Sequence, residues 1–441
     1  MPGPHVRGTI RSLKKTPGAP GVFHCAAHAV PNTPPVRPAA QFASRRSFVV
    51  LIAALATIGP FSMDTFLPSL PELQVALDAT QVQAQQALSA YLLGFGIMSL
   101  WHGAISDAIG RRPVIVTALV VYAIAALICT FAPSIEVLIG ARLVQGLFGG
   151  AGAIVSRAIV RDCFEGAQAQ RLMSTVMLLF ALGPALAPVL GGYLHQWWGW
   201  RSVFGFMLVA SLALLAWTWK SLPETHPPDA RVPLRAGPMA ADYLKVFTRP
   251  EFQLLAATIA LNFSTFFVYV MATPAFILRH LGMTSTDFGW FFIPVVAGLM
   301  LGAALSGRLA GRFSGRRTAN VGFFVMAVGV AVNLALQLGV APGMSPGYLL
   351  TVISIAPLVV SAVGQSMIMP SLQLLMMDLF PHNRGMVASA QGFTQVMLST
   401  LVAGVIAPFV SDTAAHLALT SAAFLVAGAA VWIVYLRMRR R

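Results

Sequence analysis

Two charged side chains fall inside long apolar stretches of this sequence. Asp64 lies in the stretch of residues 48–70, and Arg142 lies in the stretch of residues 137–156. If both stretches cross a hydrocarbon layer ~30 Å thick, a rise of 1.5 Å per residue places Asp64 about 6 Å and Arg142 about 7.5 Å from the same edge. Charged groups at such depths belong to proton relays, ion pathways or specific ion pairs.

A buried carboxylate near a cation is chemically suited to carrying protons. Burial penalises its charged form, whereas a nearby cation stabilises that form, so a rearrangement that alters either effect drives proton uptake or release. We predict that Asp64 takes a proton from outside and that protonation weakens its interaction with Arg142 or with a cationic substrate. The proton is then released inside. A permanent structural ion pair between the two residues is the alternative.

The composition predicts the membrane-spanning helices that must position these groups. The chain is 57% hydrophobic and 10% charged, far below the ~25% charged residues of an average globular domain. Twelve apolar stretches of membrane-spanning length are predicted: residues 48–70, 83–105, 113–132, 137–156, 172–194, 202–219, 252–275, 288–307, 318–340, 347–370, 385–409 and 417–436. Asp64 and Arg142 are the only Asp, Glu, Lys or Arg residues inside these stretches. The prediction is an all-α integral membrane protein.

The basic residues predict the orientation. Most of the 29 Lys and Arg residues lie at the chain ends and in the loops on one side, so both termini are expected to be cytoplasmic. The predicted divisions are a disordered basic tail (1–47), a six-helix half (48–221), a cytoplasmic linker (222–251), a second six-helix half (252–436) and a basic tail (437–441). The first 47 residues could also be an over-long start, and an organelle transit peptide is the less favoured reading.

An internal repeat indicates two related halves. The triplet Gly110–Arg112 recurs as Gly315–Arg317, at nearly the offset that separates the first predicted span from the seventh. Parallel repeats of this kind are typical of transporters, in which a site between the halves opens alternately to each side. A structural repeat without transport remains the alternative.

A glycine-rich, basic loop joins the second and third predicted spans, with the sequence GAISDAIGRRPVI. Its key residues are Gly103, Asp107, Gly110, Arg111 and Arg112. The loop resembles the signature Gly-x-x-x-Asp-x-x-Gly-Arg-Arg of the major facilitator superfamily. The resemblance implies a twelve-helix fold of two pseudo-symmetric six-helix halves. The second-half copy, GRLAGRFSGRR, lacks the acidic residue.

Two further segments resemble the Bcr/CflA branch of drug:proton antiporters, and a third resembles the antiporter motif of drug exporters. The first span contains MDTFLPSLP, and the fourth, after Arg142, ends in SRAIVRD with Arg157 and Arg161. The fifth span contains ALGPALAPVLGG, which is similar to the antiporter motif of drug exporters. Its motif positions are Gly183, Pro184, Pro188, Gly191 and Gly192. By physics alone, this segment could equally be a kinked packing helix.

We expect Asp107 to form a charge contact that stabilises the outward-open state. The candidate partners are Arg157, Arg161 and the start of the eleventh helix near Gly385.

Polar side chains within the spans predict a cavity for amphipathic molecules, with apolar contacts and a few orienting hydrogen bonds. The candidate substrate-binding residues are Tyr91, Asn262, Phe266, Tyr269, Gln365, Gln391 and Gln395. Each of them could instead serve helix packing.

The family resemblance implies proton-driven efflux of bicyclomycin-, chloramphenicol- or sulfonamide-type molecules across a bacterial inner membrane. Export of an endogenous metabolite is the alternative. The chain is expected to act as a monomer. It is expected to use the proton gradient and no cofactor, since it has no GxxxxGK[ST] nucleotide-binding sequence. Cys25, Cys129 and Cys163 predict neither a disulfide nor a metal site, and the scattered basic loops do not favour nucleic-acid binding.

Two other functional classes are less favoured. An intramembrane enzyme would need a catalytic set, but HExxH and GxSxG are absent and Asp64 has no second buried carboxylate. A sensor built on a transporter fold is not supported, because no signalling domain is expected after Leu436.

Overall fold

The computed structural model describes residues 46–164, 166–309, 312–381 and 383–439. The predicted N-terminal tail, up to residue 45, lies outside the described residues, as do the last two residues of the C-terminal tail. The first half comprises α1 (Arg46–Asp64), α2 (Leu70–Ala76), α3 (Gln81–Ser99), α4 (His102–Ile109), α5 (Arg111–Thr130), α6 (Ile135–Gly149), α7 (Ala151–Cys163), α8 (Gly166–Trp198) and α9 (Trp200–Ser221).

The second half follows a linker that contains a helix of its own. The linker helix is α10 (Ala236–Phe247). The second half comprises α11 (Pro250–Met271), α12 (Gly289–Leu309), α13 (Gly315–Gly339), α14 (Tyr348–Met377), α15 (Arg384–Leu401), α16 (Ala407–Val410) and α17 (Ala414–Met438). Short π-helical turns extend α11 at Ala275–His280 and α15 at Val402–Ile406.

Within the described residues, eleven helical spans are long and apolar enough to cross a membrane. The count becomes twelve when α3 and α4 are taken as one span bent by 50°. The sequence predicted this span as a continuous stretch, residues 83–105, and that prediction is wrong at the break between Ser99 and His102. Breaks also fall inside the predicted stretches 48–70 and 137–156, between Asp64 and Leu70 and at Gly150, although each of these remains a single span.

Local sequence sets several helix boundaries. At the start of α3, Thr80 Oγ1 accepts from the Gln83 backbone N–H, and the Gln83 side chain accepts from the Thr80 N–H. This reciprocal capping box satisfies two N–H groups that the helix cannot pair internally. Ser314 and Thr413 cap α13 and α17 through their side chains.

The hydrophobic core is shared between the halves at one end of the bundle and divided at the other. We call the end carrying α4 and α10 the linker end, and the end carrying α2 and the turn at residues 275–280 the far end. At the far end one cluster contains Leu67 and Phe204 from the first half together with Phe276 from the second. At the linker end the first half packs around Leu51 and the second half packs separately around Phe252. The halves therefore pack together at the far end and have separate cores at the linker end.

Candidate functional site

Arg142 lies on α6 and is completely buried among aromatic rings. Its guanidinium carbon lies 4.2 Å from the ring centroid of Tyr91, 5.4 Å from that of Phe66 and 5.9 Å from that of Phe204. Faces of aromatic rings attract a cation electrostatically, and more strongly when water is excluded. These rings therefore compensate part of the cost of burying the charge.

Two hydrogen bonds fix the direction of the Arg142 side chain. Nη1 donates to Oγ of Ser62 at 3.2 Å and to Oε1 of Gln145 at 2.6 Å. Nε and Nη2 have no hydrogen-bond partner among the described residues. Ser62 precedes Asp64 by two residues, so the arginine is anchored to the segment of α1 that carries the carboxylate.

Asp64 is the last residue of α1 and lines a cavity between the two halves. Its exposed fraction is only 5%, yet its carboxylate makes no hydrogen bond or ion pair with any residue that the structure describes. The predicted direct contact with Arg142 is therefore not formed here. The physical reason is that Arg142 is directed to Ser62, Gln145 and the aromatic rings.

The cavity has a volume of about 340 Å³ and is walled mainly by aromatic and aliphatic side chains. Both halves contribute to it. Its lining consists of Pro60, Met63, Asp64, Tyr91, Leu92, Phe95, Phe180, Pro184, Phe263, Phe266, Phe267, Val270, Phe292, Val295, Val296, Leu299, Gln365, Gln395, Val396 and Ser399. A mostly apolar pocket with a few polar groups is the usual form of a small-molecule site.

Four of the seven candidate substrate-binding residues line this cavity, namely Tyr91, Phe266, Gln365 and Gln395. The other three lie outside its lining. Tyr269 accepts a hydrogen bond from Asn333 Nδ2 at 2.6 Å, and Gln391 donates to Gln395 Oε1 at 2.9 Å. Asn262 is fully buried with both amide atoms unpaired among the described residues.

The sequence interpretation missed most of the aromatic wall. Phe263, Phe267 and Val270 share one face of α11 with Phe266, at the spacing expected of a helix. That spacing was visible in the sequence. It could not be assigned to a cavity, because the same pattern is typical of helices packed in a core.

The glycine-rich basic loop forms a charge cluster at the linker end. Arg111 pairs with Asp107 and with Asp162, and its Nη1 also donates to Oγ of Ser106 at 2.7 Å. In this structure Asp107 pairs with Arg111 and not with the predicted partners, which were Arg157, Arg161 and the helix start near Gly385. That prediction concerned the outward-open state and stays a prediction. The loop turns at Gly110 and places Arg111 one helical turn from Asp107, which brings the two side chains together.

The remaining predicted loop residues lie around this cluster. Arg157 Nε donates to the carbonyl of Ala153, Arg161 lies in the last turn of α7, and Gly103 lies in α4. A side chain at Gly385 would meet no atom within 4 Å, so the start of α15 is open.

Glu224 of the linker also holds the loop and was missed by the sequence interpretation. Its two carboxylate oxygens accept from the backbone N–H groups of Arg111 and Arg112 at 3.0 and 3.2 Å. An acceptor at the first turn of α5 satisfies N–H groups that have no partner within the helix. Arg112 in turn donates to the carbonyl of Trp219 at 2.8 Å. Gly110 has φ of 108°, a conformation that favours glycine.

The glycines of α8 connect α1 to the second half. A side chain at Gly191 would overlap the carbonyl oxygen of Thr65, the residue next to Asp64. A side chain at Gly192 would overlap the carbonyl oxygen of Ser285 in the second half. Of the other motif residues, Gly183 packs against Thr57, Pro184 lines the cavity, and Pro188 lies within the helix. The glycines thus allow two backbones to approach α8 closely.

Polar contacts between the halves accompany this packing at the far end. Gln81 Nε2 donates to Oγ of Ser411 at 2.7 Å, and Ser89 donates to the carbonyl of Thr400 at 3.1 Å. Within the second half, His280 Nε2 lies 2.9 Å from the carbonyl oxygen of Ser411, whose hydroxyl accepts the hydrogen bond from Gln81. No cluster of three or more metal-ligating side chains occurs among the described residues, where Cys129 and Cys163 are free thiols.

Comparison with known proteins gives a family match over most of the chain. Residues 50–408 match the family model described as Major Facilitator Superfamily. The chain is 31% identical over 246 residues to a bicyclomycin resistance protein homologue of Haemophilus influenzae, covering 56% of this chain and 62% of that protein. It is 28% identical over 256 residues to a chloramphenicol resistance protein of Pseudomonas aeruginosa, covering 58% and 60%. It is 31% identical over 184 residues to multidrug resistance protein D of Escherichia coli, covering 42% and 47%.

The matched region thus spans less than two thirds of each of these relatives. Two solved structures share the fold over nearly their whole lengths. One is a bacterial homologue of the human lysosomal transporter Spinster in an inward-facing, unoccupied conformation (TM-score 0.68, 14% identity, 91% of this chain and 98% of that chain). The other is a D-xylose–proton symporter (TM-score 0.66, 15% identity, 89% and 97%).

Proposed function

The chain belongs to the major facilitator superfamily, a family of membrane transporters rather than enzymes, and we propose that it exports drug-like small molecules in exchange for protons. The names of three relatives, which refer to resistance to bicyclomycin, to chloramphenicol and to multiple drugs, support drug efflux. The proposed location is a bacterial inner membrane, with the chain acting as a monomer and the proton gradient as its energy source.

The observation that carries the proposal is the free carboxylate of Asp64 in the central cavity. An ionised group without a partner in an apolar cavity is costly, so it is expected to bind either a proton or a cationic substrate. Two ligands that compete for one group cannot occupy it together, and this competition couples their movements in opposite directions. Arg142, fixed by its hydrogen bonds and aromatic rings, supplies a constant positive potential that limits how tightly Asp64 holds its proton.

We assign the linker end to the cytoplasm, because the loops at that end carry most of the Lys and Arg residues. The divided core at the linker end and the shared core at the far end then correspond to an inward-open arrangement. In this arrangement Asp64 releases its proton to the cytoplasm and accepts substrate. Rocking of the halves exposes the cavity to the other side, where a proton displaces the substrate.

The pH gradient supplies the free energy for this exchange. Exchanging one proton for one monovalent cation moves no net charge, so the membrane potential does not contribute. One pH unit supplies about 1.4 kcal/mol, which would sustain a substrate concentration ratio of about ten at one proton per molecule.

Inverted membrane vesicles provide the test. A fluorescent pH probe reports the proton gradient while a panel of drugs is added to vesicles containing the native chain, the Asp64→Asn variant or the Asp242→Asn variant. Asp242 is a matched control, because it is a carboxylate on the linker helix α10 that pairs with Lys245 outside the cavity. We expect at least one drug to dissipate the gradient with the native and Asp242→Asn chains and none to do so with Asp64→Asn.

Two results would contradict the proposal. Dissipation that is equally strong with Asp64→Asn would remove the carboxylate from the coupling mechanism. If no drug acts on the native chain while an endogenous metabolite does, the substrate is a metabolite and drug efflux is excluded.

A further inference from the structure

Few polar groups of the central cavity are free to bind a ligand. Polar side chains on its lining are Asp64, Tyr91, Gln365, Gln395 and Ser399. The hydroxyl of Tyr91 donates to the carbonyl of Gly59 at 2.7 Å, and the hydroxyl of Ser399 donates to the carbonyl of Gln395 at 2.9 Å. These two groups are occupied within the protein, which leaves one carboxylate and two carboxamides.

The two carboxamides have unused hydrogen-bonding capacity. Gln365 on α14 is 3% exposed, and its Oε1 has no partner among the described residues. Gln395 on α15 uses its Oε1 to accept from Gln391, and its Nε2 donates to no described residue. Oε1 of Gln365 is buried, and a buried amide atom without a partner costs free energy that a ligand pairing with it recovers. Gln395 is half-buried, so its Nε2 is accessible to a ligand in the cavity.

The free polar groups come from different halves. Asp64 belongs to α1 in the first half, whereas Gln365 and Gln395 belong to α14 and α15 in the second half. The rest of the lining is mostly aromatic or aliphatic and includes Phe95 and Phe267. The cavity therefore has an anionic pole from the first half, an amide pole from the second half and an apolar belt made of the remaining lining.

We infer that Gln365 and Gln395 determine specificity, and that the preferred ligands are two-ended: a protonated amine for Asp64, an aromatic or aliphatic middle, and an amide or carbonyl group for the two glutamines. This inference rests on the proposed function, because it names the substrate class of the same cavity. A hydrophobic cation without a hydrogen-bonding end fills the belt and pairs with Asp64, but it leaves both carboxamides unpaired. The site therefore discriminates between cations by their uncharged end.

A matched pair of probes tests the inference by calorimetry on the purified, full-length chain. The probe 4-(2-dimethylaminoethyl)benzamide carries a protonated tertiary amine at one end, an aromatic ring in the middle and a carboxamide at the other end. Its isostere, in which an isopropyl group replaces the carboxamide, keeps the amine and the ring. We expect the native chain to bind the carboxamide probe about tenfold more tightly than the isostere, since this is the contribution of a hydrogen bond to a buried group.

Three variants separate the two poles. In the double variant Gln365→Met/Gln395→Met, which keeps side-chain size, the preference for the carboxamide probe should fall to less than twofold while binding of the isostere is unchanged. Asp64→Asn should weaken both probes by the same factor. Gln253→Met is the matched control, because Gln253 is exposed on α11 and bonds to the carbonyl of Phe247 away from the cavity. It should retain the native preference.

The inference is overturned if the native chain binds the two probes equally or binds neither, or if the double variant weakens both probes by a common factor. The last result would make the glutamines structural. These outcomes are distinct from failure of proton coupling, since the vesicle assay with Asp64→Asn reports coupling without reference to the glutamines.

Discussion

At the scale of single residues, the two intramembrane charges are treated differently by the protein. Arg142 is surrounded by three aromatic rings and bonded to Ser62 and Gln145, so its charge is fixed in place. Asp64 is the last residue of α1 and lines the cavity together with Tyr91, but its carboxylate has no fixed partner. A fixed cation and a free carboxylate are what a proton carrier requires, because only the group without a permanent partner can exchange ligands.

Replacing Arg142 with Lys tests the need for the guanidinium. Lys keeps the charge but loses the planar group that lies over Tyr91 while bonding to Ser62 and Gln145. We expect coupled transport in vesicles to fall about tenfold or more, in line with the loss of one desolvated cation–π contact and one charged hydrogen bond. Arg171→Lys, at an exposed position, should leave transport unchanged, and equal rates in both variants would contradict this role.

The two carboxylates that bind Arg111 should differ in their contribution to stability. The side chain of Asp162 is 21% exposed, whereas that of Asp107 is 51% exposed and more strongly screened by water. Asp162→Asn is therefore expected to lower the thermal unfolding midpoint of the purified chain more than Asp107→Asn does. A larger effect of Asp107→Asn would show that the exposed fraction of the carboxylate does not determine which ion pair contributes more to stability.

At the scale of elements, α8 connects the proton site to the second half. Its glycines allow it to contact the backbone of Thr65, beside Asp64, and the backbone of Ser285 across the interface. A change in the position of α1 is therefore transmitted to the far-end contact through one rigid helix. This arrangement gives the motif a physical role that its proline and glycine content alone did not define.

Adding a methyl group to α8 should open the far end. In Gly192→Ala the new Cβ overlaps the carbonyl of Ser285, so the halves must separate there. Spin labels at Val75 and Tyr348, exposed positions on opposite halves, should report a longer distance in this variant. Gly205→Ala on α9 is the control, since its Cβ would meet no atom within 4 Å. An unchanged distance in Gly192→Ala would show that α8 does not hold the far end closed.

Much of this element-level description could be predicted from the sequence. Apolar stretches of spanning length predicted the helices, because a hydrocarbon layer imposes that length on every span. The bend after Ser99, the linker helix α10 and the role of Glu224 could not be predicted, since each depends on contacts between distant segments. Asp64 and Arg142 could be identified from the sequence because charged residues inside apolar stretches are rare. That they do not contact each other could not be predicted, because it depends on the positions of the three aromatic rings around Arg142, which only the folded structure shows.

At the scale of the whole molecule, the shared far-end core and the divided linker-end cores correspond to one of two conformational states. The polar contacts of Gln81 with Ser411 and of Ser89 with Thr400 lie on the side where the halves meet. The opposite state must break these contacts. The far-end contacts therefore contribute to the free-energy difference between the two states.

Acidification at the far end should weaken this closure through His280, which contacts Ser411 within the second half, because Ser411 is the residue that Gln81 of the first half bonds across the interface. Burial lowers the pKa of His280, and Arg279 acts in the same direction, while the carbonyl of Ser411 and the charge of Asp412 oppose the shift. Because the closed arrangement disfavours the protonated ring, its stabilisation is fully present above pH ~6.5 and is lost as the pH falls below that value. The label distance between Val75 and Tyr348 should lengthen between pH 8 and pH 5.5.

The His280→Gln variant separates this residue from other titrating groups. Gln keeps a hydrogen-bond donor for the Ser411 carbonyl and does not titrate, so the label distance should no longer depend on pH in this range. The same pH dependence in the variant would assign the effect to another group.

The central claim is that a proton and the substrate compete for Asp64. It is tested most directly by counting the protons released when the purified chain binds, in weakly buffered detergent solution, a drug that is active in the vesicle assay. We predict release of about one proton per bound drug from the native chain and from Asp242→Asn, and none from Asp64→Asn. Equal release from native and Asp64→Asn chains, or no release from the native chain, would contradict the claim.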